Sequence, residues 1–179
     1  KPGVIAFSGS YHGLSYGALS ACGYKTSFRT PFRDQLNVHV TFIPYPKVTS
    51  HEQNQAESVL DQCVATVEKV LRSGTVGAVL IEPILGRGGV EAPVTGFLLA
   101  LAEATRRHGA LLIADEIYTG LGRTGRMFRS VAQGCVPDII CLGKALGGGM
   151  PVSACLIEDS VAEAWGTPDQ EALHTSTFL

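Results

Sequence analysis

Four polar clusters in this 179-residue sequence each follow directly on an apolar run, and between them they carry side chains suited to carbonyl chemistry. Lys144 follows Ile139–Leu142 and precedes Gly147-Gly148-Gly149, and no other lysine or arginine occurs after Arg129. A lysine at a strand end among apolar neighbours is expected to lose hydration of its ammonium, which lowers its pKa and frees an amine that condenses with carbonyls. The alternative is a lysine whose stem lies on the surface with its charge in water. Asp115 closes the apolar run Leu111–Ala114, where an ionised carboxylate needs a cation. That cation is either Lys144 or a ligand cation such as a protonated pyridine nitrogen; an ion pair or a helix cap is the structural alternative. Glu82, after Val76–Ile81, poses the same choice, and Val4–Phe7 leads to Ser8-Gly9-Ser10-Tyr11-His12-Gly13 with its aromatic pair. A cofactor with a cationic ring nitrogen, an aldehyde and a phosphate would use the lysine, the carboxylate and the glycine-rich turns together. Pyridoxal 5'-phosphate has all three features.

These clusters share one edge only if the apolar runs are strands of a single sheet. Val4–Phe7, Val76–Ile81, Leu111–Ala114, Ile139–Leu142 and Val152–Ile157 do not alternate in polarity, which predicts strands covered on both faces in a mostly parallel sheet. Helices are expected between them. One starts at a capping box formed by Ser50 and Gln53, repeats apolar residues from Ala56 to Leu71 at helical spacing and stops at Gly74. A second runs from a Thr95 cap through Leu98, Leu101 and Ala102 to Gly109. Strand, helix and strand in succession give right-handed βαβ units and a three-layer α/β/α fold. In such a sheet ligands bind beyond the carboxyl ends of the strands, where all four clusters lie. That edge is expected to gather an aromatic pair, the three carboxylates Glu82, Asp115 and Glu116, and Lys144.

Composition narrows the classes further. With 45% hydrophobic and 17% charged residues and a net charge of -2, neither a disordered chain nor an electrostatic nucleic-acid binder fits. The 21 glycines follow no fixed period, and the longest apolar stretches fall far short of the ~20 residues that cross a bilayer, so no membrane partner is expected. Five cysteines without C-x-x-C spacing read as free thiols inside apolar runs. His12, His39, His51, His108 and His174 have no ligand spacing, so no metal site is expected. Gly120-Leu121-Gly122-Arg123-Thr124-Gly125 fits the G-x-G-x-x-G pattern of a nicotinamide-dependent oxidoreductase, but no apolar helix follows it directly, and the acidic residue expected about 20 positions on is absent.

In order along the whole chain, these segments resemble the class III aminotransferases, pyridoxal-phosphate enzymes of fold type I. Phe7–Gly13 resembles the family's segment whose aromatic residue stacks on the cofactor ring, with Tyr11 and His12 as candidates. Ile81-Glu82-Pro83-Ile84 resembles its Glu-Pro strand end. Leu112–Ile117 with Thr119–Gly125 resembles its aspartate signature, which implies that Asp115 pairs with the pyridine nitrogen and Ile117 packs on a ring face. Pro137–Gly149 resembles its lysine signature, which implies that Lys144 is the Schiff-base residue. His174–Phe178 resembles the segment that reaches the phosphate of a neighbouring subunit, chiefly through Thr177.

The resemblance implies a cytoplasmic homodimer with shared active sites that moves an amino group from an amino donor to an oxo-acid acceptor in a ping-pong cycle. Decarboxylating and amino-shifting relatives share these motifs, and a truncated, non-catalytic assembly partner is a further alternative. Two positions depart from the family: Arg87 stands where several relatives acting on ω-amino groups carry a glutamate, and Tyr118 where some carry a glutamine. The chain begins at Lys1-Pro2 without a secretory pattern. Residues 1–179 are therefore read as a partial cofactor-binding large domain, with the family's phosphate loop upstream and its small domain downstream, and as catalytically incomplete alone.

Overall fold

A computed structural model describes residues 1–49 and 51–165. Six strands form one sheet: β1 (Gly3–Phe7), β2 (Val40–Ile43), β3 (Val76–Ile81), β4 (Leu111–Asp115), β5 (Ile139–Leu142) and β6 (Ala154–Ile157), in the spatial order β2-β1-β3-β4-β5-β6. Neighbours from β2 to β5 pair in parallel and β6 closes the edge antiparallel to β5, so the sheet is mostly parallel as the sequence implies. The helices are α1 (Tyr16–Ser20), α2 (Thr26–Arg29), α3 (Ala56–Leu71), α4 (Phe97–His108), α5 (Arg129–Ala132) and α6 (Asp159–Ala162).

The helical layers are unequal. Helices α3 and α4 pack together on one face, where Ile5, Phe7, Val79, Ile81 and Leu112 meet Val67, Leu71, Phe97 and Leu101 in a dry core. Each large side chain withdrawn from water there contributes about 1.5–3 kcal/mol. Val4, Ala78, Leu80, Leu111 and Ile113 point to the opposite face and stay half-buried, and all four residues of β6 are exposed. The expectation of strands covered on both faces thus holds for one face only among the described residues. Apolar composition reports what a strand prefers, whereas coverage depends on what else packs there.

The helix starts also shift. Ser50 lies outside the described residues, and Glu52 accepts hydrogen bonds from the Thr49 backbone N–H and hydroxyl ahead of a short 3-10 turn at Gln53–Gln55. Thr49-x-x-Glu52 therefore makes the carboxylate half of a capping box. Gly96 (φ 87°) stands at the N-cap of α4 in place of Thr95, and Gly109 (φ 61°) ends that helix in the left-handed conformation that glycine adopts without a Cβ clash.

Candidate functional site

The chain crosses from β2 on one side of β1 to β3 on the other, which opens a crevice between the ends of β1 and β3. Ser10, fully buried, donates its hydroxyl to the Phe7 carbonyl at 2.6 Å and tightens the turn after β1. Glu82, 4% exposed, then ties the crevice together: its Oε1 accepts the Tyr11 N–H at 2.6 Å and its Oε2 the Gly86 N–H at 2.9 Å. The Tyr45 hydroxyl donates to the Glu82 carbonyl at 3.1 Å. Burial pushes the Glu82 carboxyl above the usual carboxylate range, opposed by those two N–H donors, which favour the charged form.

Asp115, 6% exposed at the end of β4, accepts the Ile117 N–H at 3.1 Å on Oδ1 and contacts His12 Nδ1 at 2.7 Å through Oδ2. Among the described residues the side-chain partner of Asp115 is therefore His12, not Lys144. His12 is offered by the sequence as a ring-stacking residue; its ring instead supports the carboxylate, and its buried Nε2 has no hydrogen-bond partner among the described residues. The contact joins residues 103 positions apart, which no local pattern reveals.

Lys144 follows β5 through Gly143, where a Cβ would come within 3.3 Å of Ile117 Cγ2, so glycine allows β5 to end against Ile117. Lys144 itself is held at φ 44°, and its Nζ lies 5.9 Å from the centre of the Tyr118 ring. Its side chain is exposed, so the dehydration expected from its apolar neighbours is not supplied by the described residues.

Tyr11, His12, Glu82, Asp115, Ile117 and Lys144 all line one cavity of about 170 Å³, together with Gly13 and Tyr118. Of the residues that the sequence gathers on this edge, all those described except Glu116 are thus brought to one place; Thr177 lies outside the described range. An adjoining cavity of about 250 Å³ shares Tyr11, Glu82, Tyr118 and Lys144 and adds Gly86 and Arg87. A larger space of about 560 Å³ lies between the start of α3 and residues Glu91–Thr95, but Glu91 there is already paired with Lys47 at 2.9 Å, and the other side chains bring no cation to it.

Glu116 does not join the site. Its Oε1 accepts the Ser130 N–H and hydroxyl, both at 2.7 Å, and Oε2 accepts the Thr119 hydroxyl, so this buried carboxylate anchors the loop between β4 and α5. Gly120–Gly125 lies in that loop as a series of turns with no helix directly after it, unlike a dinucleotide-binding motif. Tyr118 and Tyr45 are the site neighbours that spacing does not identify. Tyr45 carries a local signal, because it follows β2, a run of β-branched and aromatic residues stopped by Pro44.

Comparison with known proteins agrees with this arrangement. The sequence matches the family model for class-III aminotransferases over residues 1–179. It is 41% identical to the acetylornithine aminotransferase of Methanopyrus kandleri over 174 residues, covering 97% of this chain and 39% of that protein. It is 38% identical to the adenosylmethionine-8-amino-7-oxononanoate aminotransferase of Synechococcus elongatus over 179 residues, covering 98% of this chain and 42% of that protein. The fold superposes on an (S)-enantioselective omega-transaminase from Thermomicrobium roseum with a TM-score of 0.87 and 29% identity, over 98% of this chain and 40% of that one. It also superposes on an amine transaminase from an uncultivated Pseudomonas species in its PLP-bound form, with a TM-score of 0.82 and 31% identity, over 90% of this chain and 37% of that one. The chain spans about two fifths of the length of the relatives it matches. Motif order, sheet topology and the converged Lys144 cavity all agree with the full-length family match, and the chain belongs to the class III aminotransferases.

Proposed function

We propose that this chain is the cofactor-binding part of a pyridoxal-phosphate-dependent aminotransferase that moves an amino group between an amino donor and an oxo acid. The observation that carries the reading is the convergence of Lys144 and Asp115, 29 residues apart in sequence, on one small cavity walled by Tyr11 and Ile117. The donor set fits the group: a buried carboxylate for a ring N–H, an amine for an aldehyde, and aromatic and aliphatic walls for a flat ring. Bound there, pyridoxal phosphate supplies a carbonyl that condenses with amines and a ring that accepts the electron pair left by a departing α-proton.

The chain's own residues do the rest. Asp115, oriented by His12 and by the Ile117 N–H, would hold the ring N–H of the group. Lys144 would hold the group through its amine at the carbonyl and would move a proton at the substrate α-carbon. Glu82 holds the Tyr11 and Gly86 backbones in register, and Tyr11 and Ile117, which line the cavity, would wall a flat ring. Thr177 is assigned to the phosphate by the family resemblance alone.

The full protein is read as a cytoplasmic homodimer that shares its active sites between subunits. Five free cysteines suit a reducing compartment, and the exposed Met150, Val152, Leu156 and Ile157 offer apolar surface for a further subunit or domain to cover. The test is direct. Full-length protein is expected to be yellow, borohydride to fix the cofactor on the peptide containing Lys144, and Lys144→Ala to abolish both labelling and turnover. A colourless protein whose activity survives Lys144→Ala overturns the reading.

A further inference from the structure

Building on the proposed function, we propose that Arg87 is the carboxylate receptor of the Lys144 cavity, so that the enzyme prefers substrates bearing an acid group to simple amines. Arg87 lines the 250 Å³ cavity with Lys144, and its guanidinium lies 4.6 Å from the centre of the Tyr11 ring, held over it by a cation–π contact. Its loop is fixed at several points. Leu85 and Glu91 exchange backbone hydrogen bonds at 2.9 and 3.2 Å, Gly86 is tied to Glu82, and a Cβ on Gly88 would stand 2.6 Å from the Gly9 carbonyl. The guanidinium is thus carried on a closed turn packed against the Tyr11 loop.

Its charge has no answer within the described chain. Both Glu82 oxygens are taken by backbone N–H groups, Glu91 is paired with Lys47, and Arg87 makes no ion pair with a described carboxylate. A planar fork of donors that lines the same cavity as the Lys144 amine matches a molecule with a carboxylate at one end and an amine or carbonyl at the other. A phosphate group offers the same anionic chemistry, so the experiment must separate a substrate carboxylate from the phosphate of the cofactor.

Full-length wild type, Arg87→Gln and Arg87→Lys are compared in three measurements: cofactor absorbance, kcat/KM for an oxo acid against that for an amine without an acid group, and calorimetric binding of unreactive pentanoate against pentanamide. Arg87→Gln is expected to lower the preference for acid-bearing substrates about 10- to 100-fold, mainly through KM, and to erase the preference for pentanoate over pentanamide. Arg87→Lys should recover part of it, because the charge returns without the fork. Unchanged discrimination and unchanged pentanoate binding overturn the proposal, as does an equal loss for both substrate classes. Loss of cofactor absorbance in Arg87→Gln at normal wild-type absorbance also overturns it and assigns Arg87 to the phosphate. Absent absorbance in the wild type sinks the cofactor reading itself, while a preference for pentanoate that depends on Arg87 can still be measured.

Discussion

The Asp115–His12 contact allows a quantitative test of what orients the buried carboxylate. The pair is separated by 2.7 Å, with side chains 3% (His12) and 7% (Asp115) exposed, so water can replace neither partner. A hydrogen bond to a charged group in that setting contributes about 1.5–3 kcal/mol, and a buried partner left unsatisfied costs its desolvation as well. His12→Phe keeps the ring and leaves Asp115 with the Ile117 N–H alone; Asp115→Leu keeps the approximate volume and strands His12. Each is expected to cost about 2–3 kcal/mol. Replacing both partners removes the mutual need, so the double variant should cost less than the sum of the singles by about 1.5–3 kcal/mol. Urea midpoints of the cofactor-free, full-length proteins, at one protein concentration and with slopes checked for equality, supply the four corners of the cycle. Additivity within about 0.5 kcal/mol would refute the claim that His12 sustains Asp115.

Glu82 predicts a pH dependence. Its raised carboxyl pKa means that the folded state holds the proton after the unfolded chain has released it, so this residue's contribution to stability is full below the ordinary carboxylate range and falls as pH rises through the higher folded value. The wild-type-minus-Glu82→Gln stability difference should slope downward across that interval, and parallel pH curves would remove the argument. Gly88→Ala forces a Cβ to within 2.6 Å of the Gly9 carbonyl and should lower stability by about 1–3 kcal/mol and weaken cofactor retention, both readable by thermal melting with absorbance. Gly17→Ala serves as its control: nothing lies within 4 Å of the added carbon in α1, and the expected change is a gain of about 0.5–1 kcal/mol.

The four site-bearing strand ends could be read from sequence because an apolar run stopped by a polar residue is a local signal. Glu82, Asp115 and Lys144 lie where such runs stop, and sheet pairing carries them together. What the sequence hid was non-local or ambiguous in frame. Thr49-x-x-Glu52 and Ser50-x-x-Gln53 overlap as capping boxes one residue apart, and Glu52 is the residue that bonds back to Thr49. The partner of Asp115 arrives from the turn after β1, and Glu116 turns away because Ser130, 14 positions on, offers it two donors. The apolar residues of β6 resemble those of an inner strand, yet they stand at an exposed edge, because composition does not say which neighbours are present.

The left-handed backbone at Lys144 (φ 44°) sets two selective pressures against each other at one position. A non-glycine residue in that conformation carries a penalty of about 1–2 kcal/mol, part of which glycine would relieve at the expense of a looser unfolded chain. Lys144→Gly would therefore relieve backbone strain in the cofactor-free protein, and the same change removes the amine that the proposed chemistry uses. Selection for the stability of the cofactor-free protein alone, without a screen for turnover, would not protect a lysine at this turn.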